Sequence, residues 1–247
     1  DVPRTLITVI AGVTATIVAV AVISIIVLFN DTSPVIDRII RVWSRIWLVT
    51  SRTDLVVEGQ DNIDPDRSYI VVANHLSALD IMACLLAVPL PIRFLAKKEL
   101  FRIPVLAQGM RMVGIIEVDR EARGAVHTDV NRQSRELIEK GRSLIIYAEG
   151  TRPRNGVMKP FKKGAFMLAL HTGVSIVPTA IVGSEEIYPL LFDLKPLAKA
   201  LGLPYFPVVP QMFALPVLGP LALLPLPSRW SIEYGEPIDT SDYGPEA

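Results

Sequence analysis

An uncharged run of 24 residues, from Leu6 to Phe29, restricts most strongly what this chain can fold into. As a helix it would be about 36 Å long, enough to cross the roughly 30 Å hydrocarbon core of a bilayer. A cleaved signal peptide is disfavoured because the run is too long and no small-residue cleavage site closes it. A buried helix of a soluble domain would seldom be apolar on every face. The run therefore predicts a membrane-associated helix, which either spans the bilayer or only dips into it.

A second helix is predicted from Pro34 to about Thr50, with Ser33 as its N-cap. Isoleucines and tryptophans cover most of this helix, which is typical of a helix at a membrane interface; an amphipathic helix packed on a globular domain is the alternative. The positive-inside rule places the chain after residue 34 in the cytoplasm, because basic residues outnumber the lone Arg4 before the first helix. Four arginines share one face through spacings of three, four and seven: Arg38, Arg41, Arg45 and Arg52.

Charge is distributed unevenly along the chain. The whole sequence has 25 basic and 25 acidic residues, yet sixteen basic and only eight acidic residues lie between Arg93 and Lys163. The neutral total argues against nucleic-acid binding through overall charge, whereas the basic middle favours an anionic ligand, a phosphate or a headgroup surface. A hydrophobic content of 51% excludes a disordered chain, and a single cysteine, Cys84, excludes a disulfide scaffold.

Apolar runs that alternate with helical patterns predict an α/β fold, in which a mixed, mostly parallel sheet carries helices on both faces. A two-helix membrane-binding unit precedes it. Near the end, Ala200 to Ser228 is uncharged but holds seven prolines, which forbid a continuous membrane helix; it forms either an apolar surface or core-packing loops. The predicted helices are Leu79–Ala87, Ala122–Lys140 and Lys163–Thr172. The predicted strands are Asp54–Glu58, Tyr69–Ala73, Ile92–Ala96, Val113–Val118, Leu144–Ala148, Ile176–Ile181 and Trp230–Tyr234.

Polar residues follow the second predicted strand at a spacing that suits acid–base chemistry. Ser77 is a good N-cap for the next helix, and Asp80 holds the capping-box position three residues later. A side chain there points back toward the helix start, where His75 lies. The His-x4-Asp spacing can therefore bring a carboxylate to an imidazole and make His75 a general base. An acidic helix cap beside an ordinary loop histidine is the alternative.

Basic residues lie beyond the carboxyl ends of other strands, where α/β sheets bind ligands. Lys97, Arg120 and Arg152 each follow a predicted strand, and arginine offers a planar donor fork suited to phosphate. Gly150 permits close backbone approach, and Thr151 can cap or donate. The segment 161–164 opens a helix whose first amides also favour an anion.

Four segments, in this order and spacing, resemble the motifs of the glycerolipid acyltransferases, and the lysophosphatidic acid acyltransferases among them match best. The resemblance covers about residues 54 to 240. Differences are small: Ala148 stands where proline is usual, Pro153 where serine is common and Glu117 where isoleucine is usual. The four segments are Asn74-His75-x4-Asp80, Glu117-Val118-Asp119-Arg120, Ala148-Glu149-Gly150-Thr151-Arg152 and Ile176-Val177-Pro178.

The resemblance implies transfer of a fatty acyl group from an acyl carrier protein or coenzyme A thioester to the sn-2 hydroxyl of lysophosphatidic acid, giving phosphatidic acid. It implies a general base, His75, oriented by Asp80. The residues themselves predict no metal ion or other cofactor, because a thioester reacts without a metal and no cluster of metal ligands stands out. Residues 1–52 would be a membrane-anchoring hairpin and residues 53–247 the acyltransferase domain. The implied partners are the two substrates and a lipid bilayer. The implied substrate-binding residues are Lys97, Arg120, Glu149, Gly150, Thr151 and Arg152.

The residues themselves favour direct transfer between two bound substrates. The chain has no Gly-x-Ser-x-Gly elbow, and Cys84 lies inside a predicted helix, so no covalent nucleophile stands out. Backbone amides after His75 are candidate donors to the oxyanion. The alternatives are a related acyltransferase for glycerol 3-phosphate or another lysophospholipid, an acyl hydrolase, and a non-catalytic protein that binds anionic lipids.

Overall fold

The computed structural model describes residues 2–119, 125–153, 158–187, 192–194, 196, 207–209, 212–213, 216, 227–241 and 243. Within these ranges the helices are α1 Val2–Val27, α2 Pro34–Thr50, α3 Asp80–Ala87, α4 Leu106–Val113, α5 Ala125–Glu139 and α6 Gly164–Thr172. The strands are β1 Thr53–Glu58, β2 Ile70–Ala73, β3 Ile92–Lys97, β4 Ile116–Val118, β5 Ser143–Tyr147, β6 Ile176–Val182, β7 Phe192–Asp193, β8 Pro207–Val208 and β9 Ser228–Tyr234.

Seven of the described strands form one mixed, mostly parallel sheet in the order β1-β9-β6-β2-β5-β3-β4. Neighbouring strands run parallel except β6 and β9, which are antiparallel. The central strand β2 is paired on both sides, with Ala73 opposite Tyr147 of β5 and Thr179 of β6. The fold class predicted from the sequence is confirmed.

Helices cover both faces of this sheet because alternate strand residues point to opposite sides. On β2, Val71 and Ala73 enter one core cluster, which includes residues of α2 and α3. Ile70 and Val72 enter the other, which includes residues of α5 and α6. All four side chains are buried, so β2 is apolar throughout, as expected for a strand covered on both faces.

The seven predicted strands are all present, but one helix was missed. Val113, predicted to begin a strand, instead ends α4. This eight-residue helix contains Gly109. Because glycine has a low helix propensity, the sequence of this segment does not clearly predict a helix. In the fold, a Cβ at Gly109 would lie 2.6 Å from Val20 of α1, so the glycine allows the two helices to pack closely. The proline-rich apolar stretch of residues 200–228 lies largely outside the described residues.

Helix α1 runs alongside α2 for most of its length. The Thr8 hydroxyl donates to the carbonyl of Thr50 at 2.9 Å, and the Trp43 indole donates to the Thr16 hydroxyl at 2.8 Å. Gly12 leaves room for the ring of Trp47. The segment from 10 to 27 has a mean hydropathy of 2.7, yet only 11% of it is buried within the protein. Length and composition are those of a membrane helix, and the helix presents a largely uncovered apolar surface.

Helix α2 is built into the core of the globular part. Ile36 and Leu48 are fully buried. The Arg41 guanidinium donates to the carbonyls of Val88 at 3.0 Å and Leu90 at 3.4 Å, just past the end of α3. Arg41 keeps its helical spacing to Arg38 and Arg45, but its guanidinium binds just past the C-terminal end of α3, where a cation is favoured. Arg52 was predicted to share this helical face, and this was wrong: it lies beyond Ser51, the C-cap of α2. The arginines that remain exposed are Arg38, Arg45 and Arg52.

A buried ion pair strengthens this junction. Arg93 of β3 is 1% exposed, and its guanidinium donates to Asp37 of α2 at 2.7 Å. The same side chain also donates to the carbonyls of Ile92 and Val113. Burial lowers the pKa of Arg93, and the Asp37 carboxylate opposes that shift. The predicted domain boundary between residues 52 and 53 stays a prediction. Helix α2, which lies before this boundary, shares a hydrophobic core with the sheet that follows it.

We expect Asp37→Ala to lower the free energy of unfolding by about 3 kcal/mol, because it leaves a charged guanidinium buried without its partner. Chemical denaturation in mild detergent would measure the loss. The control is Asp129→Ala, which breaks an exposed ion pair with Arg132 of similar length, 2.6 Å, and should lower the free energy of unfolding far less, because water screens the pair. Equal losses in the two variants would contradict a supporting role for the buried pair.

Candidate active site

The candidate site lies where β2 and β5 end at the carboxyl edge of the sheet. Asn74 is the first residue after β2, and its side chain binds the neighbouring strand β6 twice. Its amide nitrogen donates to the carbonyl of Ile181 at 2.8 Å, and its oxygen accepts from the Ile181 amide at 2.7 Å. The loop between β2 and α3 is therefore tied to the sheet directly before His75.

The predicted contact between His75 and Asp80 is present. Nδ1 of His75 lies 2.9 Å from Oδ2 of Asp80, whose side chain is fully buried while that of His75 is 14% exposed. Asp80 is the first residue of α3, and its N-cap is Leu79 rather than the predicted Ser77. The Asp80 side chain still projects back over the preceding loop and accepts from the Ser77 amide, as a capping-box residue does. The contact is geometric, and the catalytic role of each residue remains a prediction.

One oxygen of Asp80 accepts three hydrogen bonds. Besides His75, the backbone amides of Leu76 and Ser77 donate to Oδ2, both at 2.8 Å. Backbone amides can only donate, so Oδ2 is the acceptor in both of these bonds. The sequence offers the amides after His75 as candidate oxyanion donors. These two are already directed at Asp80, so that hypothesis does not hold for them.

The hydrogen-bond network assigns the tautomer of His75. Because Oδ2 of Asp80 already accepts from two backbone amides, we assign it as the acceptor toward the ring as well, so Nδ1 of the neutral ring carries the proton and Nε2 carries the lone pair. Nε2 is the nitrogen remote from Asp80. A proton taken up there makes an imidazolium that the adjacent carboxylate stabilises. The pair can therefore act as a general base toward a hydroxyl placed next to Nε2.

The carboxylate of Glu149 is buried and binds backbone amides of two different segments. Its side chain is 1% exposed; Oε1 accepts from the backbone amide of His75 and Oε2 from that of Lys159, both at 2.9 Å. Both oxygens of the carboxylate are thus engaged by backbone amides, and the predicted substrate contact of Glu149 stays a prediction. Glu149 holds the His75 loop against the segment that leads into α6.

The turn after Glu149 depends on glycine. Gly150 has φ +73°, and an added Cβ would lie 2.9 Å from Nζ of Lys162. The Lys162 side chain thus lies across the turn, next to the predicted substrate-binding residues Gly150, Thr151 and Arg152. Arg152 is exposed, and Thr151 is partly exposed. Lys162 was noted only as part of a basic cluster, and the structure brings its ammonium group to the turn.

Two predicted phosphate contacts remain, Lys97 and Arg120. Lys97, the last residue of β3, is exposed. Lys98 binds Asp119 at 2.6 Å and so links the two strand ends. Arg120 follows directly but lies outside the described residues, so its predicted contact stays a prediction.

Two further side chains pack beneath the His75–Asp80 pair. Burial raises the pKa of the Cys84 thiol, which is fully buried, so it stays protonated and is no nucleophile. The ring of Tyr147, the last residue of β5, stacks on the His75 imidazole with centroids 4.1 Å apart. Tyr147 was not among the predicted site residues; its position two residues before Glu149 at a strand end was the available signal. Within the described ranges, no group of three or more potential metal ligands comes together.

Comparisons with known proteins agree with this geometry. A family model described as acyltransferase matches residues 54–182, more than half of the chain. An uncharacterized protein of Mycobacterium tuberculosis is 35% identical over 229 residues, which cover 85% of this chain and 58% of that protein. A chloroplastic 1-acyl-sn-glycerol-3-phosphate acyltransferase of Brassica napus is 34% identical over 187 residues, 73% of this chain and 53% of that protein. The chain thus spans little more than half the length of these relatives.

A solved structure is similar over nearly the whole chain. The crystal structure of the 1-acyl-sn-glycerophosphate acyltransferase PlsC from Thermotoga maritima superposes with a TM-score of 0.67 and 25% identity. The match covers 99% of this chain and 89% of that one. The similarity therefore includes the two N-terminal helices as well as the sheet.

We expect Glu149→Gln to loosen the His75 loop. The amide group can accept one hydrogen bond through its oxygen, but its nitrogen then faces a second backbone donor, which costs about 1–3 kcal/mol locally. Amide hydrogen exchange at His75 and Lys159 should accelerate. Glu139→Gln, an exposed position on α5, is the control. Unchanged protection at both amides would contradict the role of Glu149.

Proposed function

The chain belongs to the acyltransferase family, and we propose that it transfers a fatty acyl group from a thioester to the free hydroxyl of lysophosphatidic acid. The product would be phosphatidic acid. The observation that carries this proposal is the His75–Asp80 pair, with its 2.9 Å contact and a fully buried carboxylate, at the carboxyl edge of the sheet. Two relatives named as acyltransferases of 1-acylated glycerol phosphates support the choice of acceptor.

In the proposed reaction, Nε2 of His75 removes the proton from the acceptor hydroxyl. The hydroxyl oxygen attacks the thioester carbonyl carbon and forms a tetrahedral intermediate. When the intermediate collapses, the carbon–sulfur bond breaks and the thiolate takes the proton from Nε2. An ester and a free thiol result, and His75 returns to its neutral form. Asp80 stabilises the transient imidazolium, and positioned acid–base catalysis of this kind contributes about 10²–10⁴ in rate.

We propose that the acceptor phosphate binds the basic residues around the 149–152 turn. Arg152 and Lys162 lie there, and Lys97 and Arg120 follow the neighbouring strands β3 and β4. Phosphate recognition by several cations is the feature that a hydrolase using water as acceptor would not need. Acyl carrier protein and coenzyme A are both candidate carriers of the acyl thioester.

We propose that the α1–α2 hairpin holds the protein at a membrane. Large apolar side chains are exposed on α1, among them Ile17 and Ile25, and on α2, where Val42 and Val49 are at least 60% exposed. Because α1 packs along α2 and α2 along α3, we propose that the hairpin lies in the plane of one leaflet rather than across the bilayer. The lipid acceptor would then reach the site from the bilayer, with the globular part on the cytoplasmic face.

The central test measures acyl transfer to lysophosphatidic acid by the purified chain in mixed micelles, with acyl carrier protein and coenzyme A thioesters as donors. We expect His75→Ala to lower kcat about 10²–10⁴-fold, because the base is lost. Asp80→Asn should also lower kcat, because the imidazolium loses its counter-charge. The control is His171→Ala, an exposed histidine at the end of α6, which should retain full activity.

The acceptor profile separates the alternatives. Product from lysophosphatidic acid but not from glycerol 3-phosphate or neutral lysolipids supports the proposed substrate. A preference for another acceptor would replace it with a related acyltransferase, and free fatty acid released without any acceptor would indicate a hydrolase. No turnover by the folded chain with any donor and acceptor would leave anionic-lipid binding as the function.

Membrane binding can be tested without removing the hairpin, since α2 contributes to the core. Flotation with vesicles would compare anionic with neutral lipids. We expect the double variant Arg38→Gln and Arg45→Gln to lose about thirtyfold in preference for anionic vesicles, given about 1 kcal/mol per basic residue at such a surface. Arg132→Gln, exposed on α5, is the control. An unchanged preference would show that these arginines do not face the lipid.

A further inference from the structure

We propose that Tyr147 is a positioning residue that fixes the plane of the His75 imidazole and thereby the direction of Nε2. The proposal rests on the role of His75 as the base in the proposed function. The two rings are stacked, with centroids 4.1 Å apart and an angle of 19° between their planes. Tyr147 itself is the last residue of β5, so a central strand of the sheet carries it.

A single hydrogen bond does not fix an imidazole. The bond from Nδ1 to Asp80 sets the direction of one ring atom, but the ring can still turn about that axis. Such a turn moves Nε2 away from the acceptor hydroxyl, and a misplacement of 1 Å can cost about a hundredfold in rate. A flat surface against one face of the imidazole prevents this rotation, and the Tyr147 ring is such a surface.

The sheet register explains why Tyr147 reaches His75. Tyr147 lies directly opposite Ala73 in the parallel pair of β5 and β2. His75 follows Ala73 by two residues, so its side chain returns to the same face of the sheet. The small side chain of Ala73 leaves space for the tyrosine ring between the strand and α3.

The other end of Tyr147 is held in the core. Its hydroxyl is buried near the Cys84 thiol on α3, although no hydrogen bond of ordinary geometry joins it to any described residue. Cys84 lies one helical turn after Asp80, so both point from α3 toward the sheet. Burial raises the pKa of Tyr147, so its phenol stays neutral beside the carboxylate.

Tyr147 and Glu149 therefore act on the same histidine from one strand end. Glu149 accepts a hydrogen bond from the backbone amide of His75, and Tyr147 packs against its ring. Ala148, between them, points to the opposite core. With Asp80 at the ring edge, the three contacts restrain the backbone, the face and the edge of His75.

The test separates the contribution of the Tyr147 ring to kcat from that of its hydroxyl. Tyr147→Phe keeps a stacked ring and should keep kcat within about threefold. Tyr147→Leu and Tyr147→Met remove the stack, and we expect kcat to fall about tenfold to a hundredfold with KM for both substrates nearly unchanged. Two aliphatic variants are used because one of them could fold poorly. The controls are Tyr69→Phe and Tyr69→Leu. Tyr69 is a buried tyrosine directly before β2, at the opposite end of the same strand pair.

A spectroscopic signature gives a readout that does not depend on turnover. Protons of His75 lie over an aromatic face, so their resonances should be shifted upfield in histidine-labelled protein. His75→Ala identifies these resonances among the three histidines. The upfield shift should persist in Tyr147→Phe and disappear in both aliphatic variants, while Tyr69→Leu leaves it unchanged.

The outcomes distinguish this inference from the proposed function. If the wild-type chain transfers no acyl group, the proposed function is wrong. The His75 resonances then still show whether Tyr147 fixes the orientation of the imidazole. Full kcat in folded Tyr147→Leu or Tyr147→Met would overturn the inference. An equal fall in Tyr147→Phe would also overturn it, because the hydroxyl rather than the ring would then be responsible.

Discussion

The three hydrogen bonds to one oxygen of Asp80 are the constraint on which the rest of the site depends. A buried carboxylate is costly unless donors compensate its charge, and Asp80 is fully buried. The amides of Leu76 and Ser77 supply two donors, and they can do so only if the loop wraps around the start of α3. The same wrapping brings the ring of His75 into range as the third. The start of α3, the shape of the loop and the tautomer of His75 therefore have one electrostatic cause.

A second buried carboxylate, Glu149, acts on the same loop from the opposite side. The loop between β2 and α3 is thus held by Asp80 at the helix and by Glu149 at the end of β5, each through backbone amides. Backbone hydrogen bonds fix the path of the chain rather than the rotamer of one side chain, so this arrangement restrains His75 before any substrate binds. The presence of an acidic residue in this turn then has a structural explanation: the Glu149 carboxylate is buried against backbone amides, while Arg152 of the same turn is exposed.

Sequence reasoning succeeded where a pattern is local and failed where a role depends on tertiary contacts. Apolar runs identify β2 and β5 because strands covered on both faces are apolar throughout, and the capping position of Asp80 predicts its return to His75. The path of Arg41 was not predictable in this way, since helical spacing places it on the basic face and only the end of α3 draws it inward. The role of Glu149 was likewise hidden, because its motif suggests a ligand contact and only the fold shows that both oxygens are engaged. The stack on Tyr147 requires the register of two strands that lie far apart in the sequence.

The position of the base relative to the N-terminal hairpin follows from one short helix. Helix α3 has eight residues and is therefore about 12 Å long. Asp80 begins it and binds the catalytic candidate His75, while the carbonyls just past its other end bind Arg41 of α2. The buried pair of Asp37 and Arg93 adds a second link between α2 and the sheet. A hairpin seated on lipid through its exposed apolar face would consequently hold the His75–Asp80 pair at a set distance from the membrane surface. The same contacts that complete the core would thus place the site where a lipid acceptor can reach it.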